Sequence, residues 1–338
     1  MKSAKTKEEF TMNPSFSDKK HPSHTSHSTA RQDMTDRTPP ACFEGLRYHS
    51  ISTWLKRNFG EKTIKLAIDG GFTCPNRDGT KGVGGCTFCS DNGSGEFASN
   101  IEDQIRLLSD KWPRARYLAY FQNHTNTYAP VAELRKKYEA VLANPKIEGL
   151  VIGTRPDCLS EEVLDLLSEI NRSHFLWLEL GLQTIHEETA RAINRCYDLP
   201  VFDRAMAALR EREIRTVVHL ILGLPGEDRQ MMLDSVRYVA AKPELFGMKL
   251  HLLNIVKGSQ MEYLYPDYQP FASIDDYVCL VCDCLEQIPP EVTMHRLTGD
   301  APRGILINPP WSFNKRTILN GINDRLHLLD SWQGKCCR

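Results

Sequence analysis

"IKLAIDGGF" (64–72) runs almost directly into "CPNRDGTKGVGGCTFC" (74–89). The first stretch is apolar at nearly every position, as expected of a parallel strand covered on both faces. The second is a glycine-rich loop carrying Cys74, Cys86 and Cys89. A strand that opens into a reactive loop at its C-terminal end is the unit from which parallel α/β barrels build their working face.

Five further runs have the same character: "RYLAYF" (116–121), "EGLVIGT" (148–154), "FLWLELGL" (175–182), "RTVVHLILGL" (215–224) and "MKLHLLNIV" (248–256). Amphipathic segments lie between them, at about 100–111, 131–143, 160–171, 187–193 with 200–211, and 228–241. "LSEEVLDLLSEI" (159–170) shows the pattern, with Ser160 placed as N-cap, early acids, and leucines at helical spacing. Six βα repeats without a dividing linker predict an α/β fold, a parallel barrel or an open sheet. A further helix is expected over 274–288. Its Cys279, Cys282 and Cys284 sit in an apolar helical pattern and read as core packing.

The ends differ from this middle. Residues 1–45 are polar and finish near Pro39-Pro40, a composition expected to stay disordered; His21, His24 and His27 there read as tail residues. Residues 46–290 are expected to form the barrel, and 291–338 a C-terminal extension. That extension is the one region with a basic bias, and Trp311, Phe313 and Trp332 are interleaved with its Lys and Arg.

Composition narrows the functional classes. Across 338 residues the formal net charge is −1, so no global field marks a nucleic-acid binder. No apolar run follows the first basic residues, which argues against a signal peptide or membrane span. An odd count of eleven cysteines makes a poor disulfide framework and points to reduced thiols in the cytoplasm.

Three clustered thiols suit a [4Fe–4S] cluster that leaves one iron open. Structural zinc would need a fourth ligand, for which Asp78 or Asp91 stand near, and unligated buried cysteines are the third reading. Around the loop, polar residues fall at strand ends: Gln122, Asn123 and Thr125 in "YFQNHTNTY", then Thr154, Arg155 and Asp157 in "GTRPD". The Arg155 guanidinium suits a carboxylate or phosphate, or else a salt bridge to Asp157 or Glu179. Glu179 is a charge inside an apolar run and needs a partner, with Gln183 and His186 just beyond it. Gly223 and Gly226 allow either close backbone approach to a ligand or a tight strand-to-helix turn.

The cysteine loop resembles that of the radical S-adenosylmethionine superfamily, in the longer-spaced form of its YtqA/YhcC-type subgroup. The familiar spacing is CxxxCxxC, whereas here eleven residues fill the first gap. "YHSISTWLKRNFG", "IGTRPDCL", "LELGLQTIHEETARAINRCYD", "VHLILGLPGED" and "WSFNKRTILNGI" extend the likeness over about 46–335. The resemblance implies a partial (βα)6-type parallel barrel in which Cys74, Cys86 and Cys89 hold a [4Fe–4S] cluster whose open iron takes S-adenosylmethionine. It implies Phe88 beside the adenine, with Asn123, Thr154, Arg155, Glu179, Gln183, Gly223 and Gly226 as further cofactor-binding candidates.

Relatives usually carry a glycine-rich stretch where "YFQNHTNTY" stands, and a glycine where Cys196 follows Arg195. A flavodoxin- or ferredoxin-like electron donor and a transfer-RNA substrate, modified at a wobble uridine, are the partners implied, with no membrane. Radical chemistry on a small metabolite or tetrapyrrole, and a zinc-stabilised RNA-binding module, are the alternatives.

Overall fold

The computed structural model describes residues 38–91, 93, 101–109 and 111–337. Seven described strands form one parallel sheet: β1 (Thr63–Ile68), β2 (Arg116–Phe121), β3 (Ile147–Thr154), β4 (Phe175–Gln183), β5 (Arg215–Leu222), β6 (Gly247–Leu252) and β8 (Thr293–Arg296). They are ordered as they occur in the chain and curl into an open half-barrel. A short antiparallel pair, β7 (Ile255–Val256) with β9 (Leu306–Asn308), sits apart from it. The crossovers carry α2 (Ile101–Ser109), α3 (Val131–Leu142), α4 (Glu161–Ser173), α5 (Glu187–Ala192), α6 (Leu199–Glu211) and α7 (Arg229–Ala240), close to the spans the periodicity predicts.

Strand alternation divides the sheet into two chemically different faces. Leu176, Leu178 and Leu180 of β4, with Val218, Leu220 and Leu222 of β5, join the main core beneath the helices. On the other face Leu118, Val151, Trp177 and Val217 pack against Leu55, Trp54 and Phe59 of α1 (Ile51–Phe59). Trp54 stacks on Phe175 at 5.9 Å and meets Phe246 edge-on at 5.0 Å. This helix therefore plugs the concave face near the strand N-termini, and the C-terminal half of that face stays open. Ser50 starts it, accepting a 3.1 Å hydrogen bond from the Thr53 amide.

Both expected boundaries shift. The N-terminal tail lies mostly outside the described residues, His21, His24 and His27 with it. However, Ala41–Phe43 forms a 3-10 turn whose Phe43 is buried, so the fold begins before residue 46. The stretch after 290 is not separate either. Here β8 extends the sheet as its seventh strand, and α10 (Lys315–Leu328) packs on α9 (Ile274–Glu286), which follows the short α8 (Gln260–Leu264). Trp332 is buried, because the last turns fold back over the N-terminal segment. Cys282 and Cys284 pack in the core of α9 as expected, and burial pushes the Cys282 thiol up to about 12. No described helix is long and apolar enough to cross a membrane.

Gln333 clasps the two ends of the chain. Its side chain is fully buried; Oε1 accepts from the His49 amide at 2.9 Å, and Nε2 donates to the Pro289 and Val292 carbonyls at 2.8 Å each. Truncation would orphan these buried groups. We expect Gln333→Ala to lower unfolding free energy by about 1–3 kcal/mol in urea titrations. A loss below about 0.5 kcal/mol would show that the clasp carries no stability.

Candidate active site

The cysteine loop is held in place from three sides. Within it, the Arg77 amide donates to the Cys74 carbonyl at 2.8 Å and the Gly85 amide to the Asn76 carbonyl at 2.8 Å. The turn after α5 grips it through the Thr87 amide on the Ile193 carbonyl, 3.1 Å, and Asn194 Nδ2 on the Gly85 carbonyl, 2.7 Å. From α8, the Met261 amide donates to the Thr87 carbonyl at 3.0 Å. A Cβ on Gly82 would lie 2.1 Å from Asn76 Oδ1 and 2.8 Å from Cys196 Sγ, so only glycine fits there. Cys196 adopts φ 60° and completes this packing.

Cys74, Cys86 and Cys89 line one wall of a cavity at the C-terminal ends of the strands, with Phe88 between the last two. Among the described residues, no three Cys, His, Asp or Glu side chains converge as a mononuclear metal site requires. Three thiols on one wall suit a multinuclear group with one attachment point per iron. The same cavity presents buried polar atoms without a hydrogen-bond partner, Thr125 Oγ1, His124 Nδ1 and His251 Nε2. Thiolate donors and unmatched polar atoms thus fit an iron–sulfur cluster with a polar cosubstrate beside it.

Of the other candidates, Thr154, Arg155, Glu179 and Gln183 line the cavity. Arg155 directs its fork at Asp157, with Nε 2.9 Å from Oδ1 and NH2 3.0 Å from Oδ2, while Lys81 of the cysteine loop reaches the same carboxylate at 3.2 Å. The salt bridge left open by the sequence is therefore formed. Asn123 is buried outside the lining, His186 Nε2 meets the Met231 carbonyl at 2.9 Å, and Arg195 staples the turn by reaching the Thr184 carbonyl at 2.6 Å. Gly223 and Gly226 both have φ 88° and lie outside the lining. A Cβ at Gly223 would strike Phe271 and Pro270, so these glycines serve the strand-to-helix turn.

Glu179 requires a larger correction. The resemblance makes it a cofactor-binding candidate, yet protein groups supply the partners its charge needs. Tyr120 donates to Oε2 at 2.5 Å, His219 Nε2 lies 3.0 Å from it, and Lys249 forms an ion pair with it. Trp177 Nε1 and Lys65 Nζ approach Oε1 at 3.2 and 3.3 Å. Five donors saturate a carboxylate. Burial opposes ionisation of Glu179, but the charges of Lys249 and Lys65 with the His219 hydrogen bond outweigh it and hold the group well below the usual carboxylate range.

Tyr120, His219, Lys249 and His251 of the lining, and Lys65 beside Glu179, escaped the sequence reading, and Arg296, read as part of the basic extension, lines the cavity too. Lys65, His219, Lys249 and His251 each interrupt an apolar strand at alternate spacing, so a period-of-two reading would have placed them on one face.

Comparison with known proteins follows this geometry. Residues 74–239 match the Radical SAM superfamily and 246–327 the Radical SAM C-terminal domain. YtqA of Bacillus subtilis is 48% identical over 298 residues, covering 86% of this chain and 92% of that protein. The chain belongs to the radical S-adenosylmethionine superfamily. YhcC of Escherichia coli K12 is 41% identical, covering 78% of this chain and 87% of that protein. Archaeal Elp3 of Methanocaldococcus infernus, with its N-terminus deleted, shares the fold at TM-score 0.60 and 14% identity, covering 80% of this chain and 64% of that one. The cofactors of the superfamily are a [4Fe–4S] cluster and S-adenosylmethionine, so they are the cofactors of this chain.

The charged layer should show in the pH dependence of stability. Burial, with the Lys249 charge beside it, pushes His219 down to about 4 from 6.5. The folded state then binds fewer protons than the unfolded chain between those values, so stability falls as pH drops from about 6.5 to about 4. His251 and His295 are shifted in the same direction by burial. Urea titrations across that window should show His219→Gln removing up to about 3 kcal/mol of the pH-dependent change. An unaltered slope would mean that His219 is not held neutral by the fold.

Proposed function

We propose that this protein is a radical S-adenosylmethionine enzyme that modifies the side chain of a wobble uridine in transfer RNA. Cys74, Cys86 and Cys89 would hold the cluster, with Phe88, Thr154, Arg155 and Gln183 around S-adenosylmethionine. Reduced by one electron from a flavodoxin- or ferredoxin-like donor, the two cofactors together supply the 5′-deoxyadenosyl radical that abstracts hydrogen from substrate. The chain itself orients the reactants and excludes water. The α1 plug closes the chamber beneath, and the cysteine loop covers one side.

One observation carries the RNA reading. The segment that contributes Asp300, Ala301, Pro302 and Ile305 to the cavity also exposes Arg303, whose guanidinium lies 4.1 Å over the ring of exposed Phe313. A cation beside an aromatic face at the entrance suits a phosphate next to an extruded base. A wobble base is unpaired, which lowers the cost of bringing it into a chamber. Exposed Arg316 opens the adjoining helix.

Nucleoside profiling of transfer RNA from cells with and without the gene tests this reading. Loss of one modified wobble uridine, with its precursor accumulating, is expected; an unchanged profile would favour the small-metabolite alternative. In vitro, Arg303→Glu with Arg316→Glu should cut turnover of intact transfer RNA by roughly tenfold or more and flatten its salt dependence, without altering uncoupled S-adenosylmethionine cleavage. Cys86→Ala should lose the iron and abolish cleavage. Full iron content in that variant would overturn the ligand assignment.

A further inference from the structure

The concave face below the cysteines carries more positive than negative charge. Lys65 and Lys249 both approach Glu179, and Arg296 NH2 lies 2.7 Å from Asp300 Oδ2, with Lys315 on the same carboxylate. Four cations thus share two carboxylates. Lys249 is almost wholly buried, its side chain only 3% exposed, and Arg296 is largely so at 26%. Solvent screens these two less than it would at the surface, whereas the Lys315 side chain is 44% exposed.

The histidines do not remove the surplus. His219 gives a ring nitrogen to Glu179, and the His251 ring lies tilted beside it with centroids 5.0 Å apart. His251 Nε2 is buried without a partner while its ring lines the cavity. Lys249, His251 and Arg296 therefore face one space, whose nearest carboxylates are already shared. Four cations sharing two carboxylates beside an unmatched ring nitrogen call for an anionic ligand.

We propose that this end of the chamber is a subsite for an anionic substituent of the substrate, a carboxylate or a phosphate, bound by Arg296 and His251 over the charge of Lys249. Charge-assisted hydrogen bonds from a planar guanidinium suit either group. The subsite would fix the substrate at one end, so that a neighbouring carbon meets the cofactor side of the chamber. Tyr120 and Glu179 act as positioning residues here: Glu179 orders Lys249, and the Tyr120 hydroxyl, 3.2 Å from Lys249 Nζ, shares that carboxylate.

The inference rests on reading the cavity as a substrate chamber, but not on the substrate being RNA. Its test is accordingly one of binding. Saturation-transfer NMR on the reconstituted holoenzyme, with S-adenosylmethionine saturating, would compare acetate, methyl phosphate and uncharged acetamide. Saturable binding of acetate or methyl phosphate is expected, the tighter of the two naming the group, with no binding of acetamide. Arg296→Gln should weaken the anion by about tenfold or more, and Arg296→Lys should recover much of it. Asp300→Asn should tighten binding, because it frees Arg296 and Lys315; a purely structural role would predict the reverse. If Arg296→Gln fails to fold, the sign of the Asp300→Asn effect decides.

Equal binding of acetamide, no saturable anion binding in the presence of S-adenosylmethionine, or weakening by Asp300→Asn would each overturn the subsite. None of these results depends on the transfer-RNA profile, so either proposal can fail without the other.

Discussion

Glu179 is the charge around which the interior of this half-barrel is arranged. One carboxylate on β4 collects a lysine from β1, a tyrosine from β2, a histidine from β5 and a lysine from β6. Removing any partner would leave charge stranded in a poorly solvated space, which is far costlier than losing a surface pair. The network thus cross-links strands that otherwise touch only their immediate neighbours. It also keeps the concave face polar where an apolar filling would have closed it.

That face changes character along the strands. Nearest the strand N-termini, Leu118, Trp177 and Val217 pack beneath α1 as ordinary core. The Glu179 layer follows, and beyond it Gly153 and Gly181 contribute no side chain, so space opens beside the cysteine loop. Apolar plug, charged floor and thiol-lined wall make a chamber with one reactive side and one recognising side. The chemistry needs that separation, since a radical must meet its substrate without meeting bulk water.

Positioning of the thiols is a tertiary matter, although their identity is local. The loop carries three glycines with positive φ, Gly79, Gly84 and Gly85, and no regular element of its own. Its shape comes from Asn194, Ile193 and Met261, which lie far away in sequence and grip its backbone. Arg195 braces this grip by tying the β4–α5 turn to the turn after α5. Arg155 and Lys81 similarly link the loop to the end of β3 through Asp157.

The sequence by itself determined the repeating strand–helix order, the spans of most elements and the cysteine trio, because hydrophobic periodicity and residue chemistry are local properties. It also carried the family, through motifs spread over most of the chain. Tertiary structure decided which polar side chains face each other. Lys65, His219 and Lys249 each look like isolated interruptions of apolar strands, and Arg296 reads as part of a basic tail. Only the curl of the sheet brings them to one surface. The same curl left Gly223 and Gly226 serving a turn and moved β8 from a supposed appendage into the sheet. Spacing along a strand fixes the face on which a side chain lies; what stands opposite depends on how far the sheet bends.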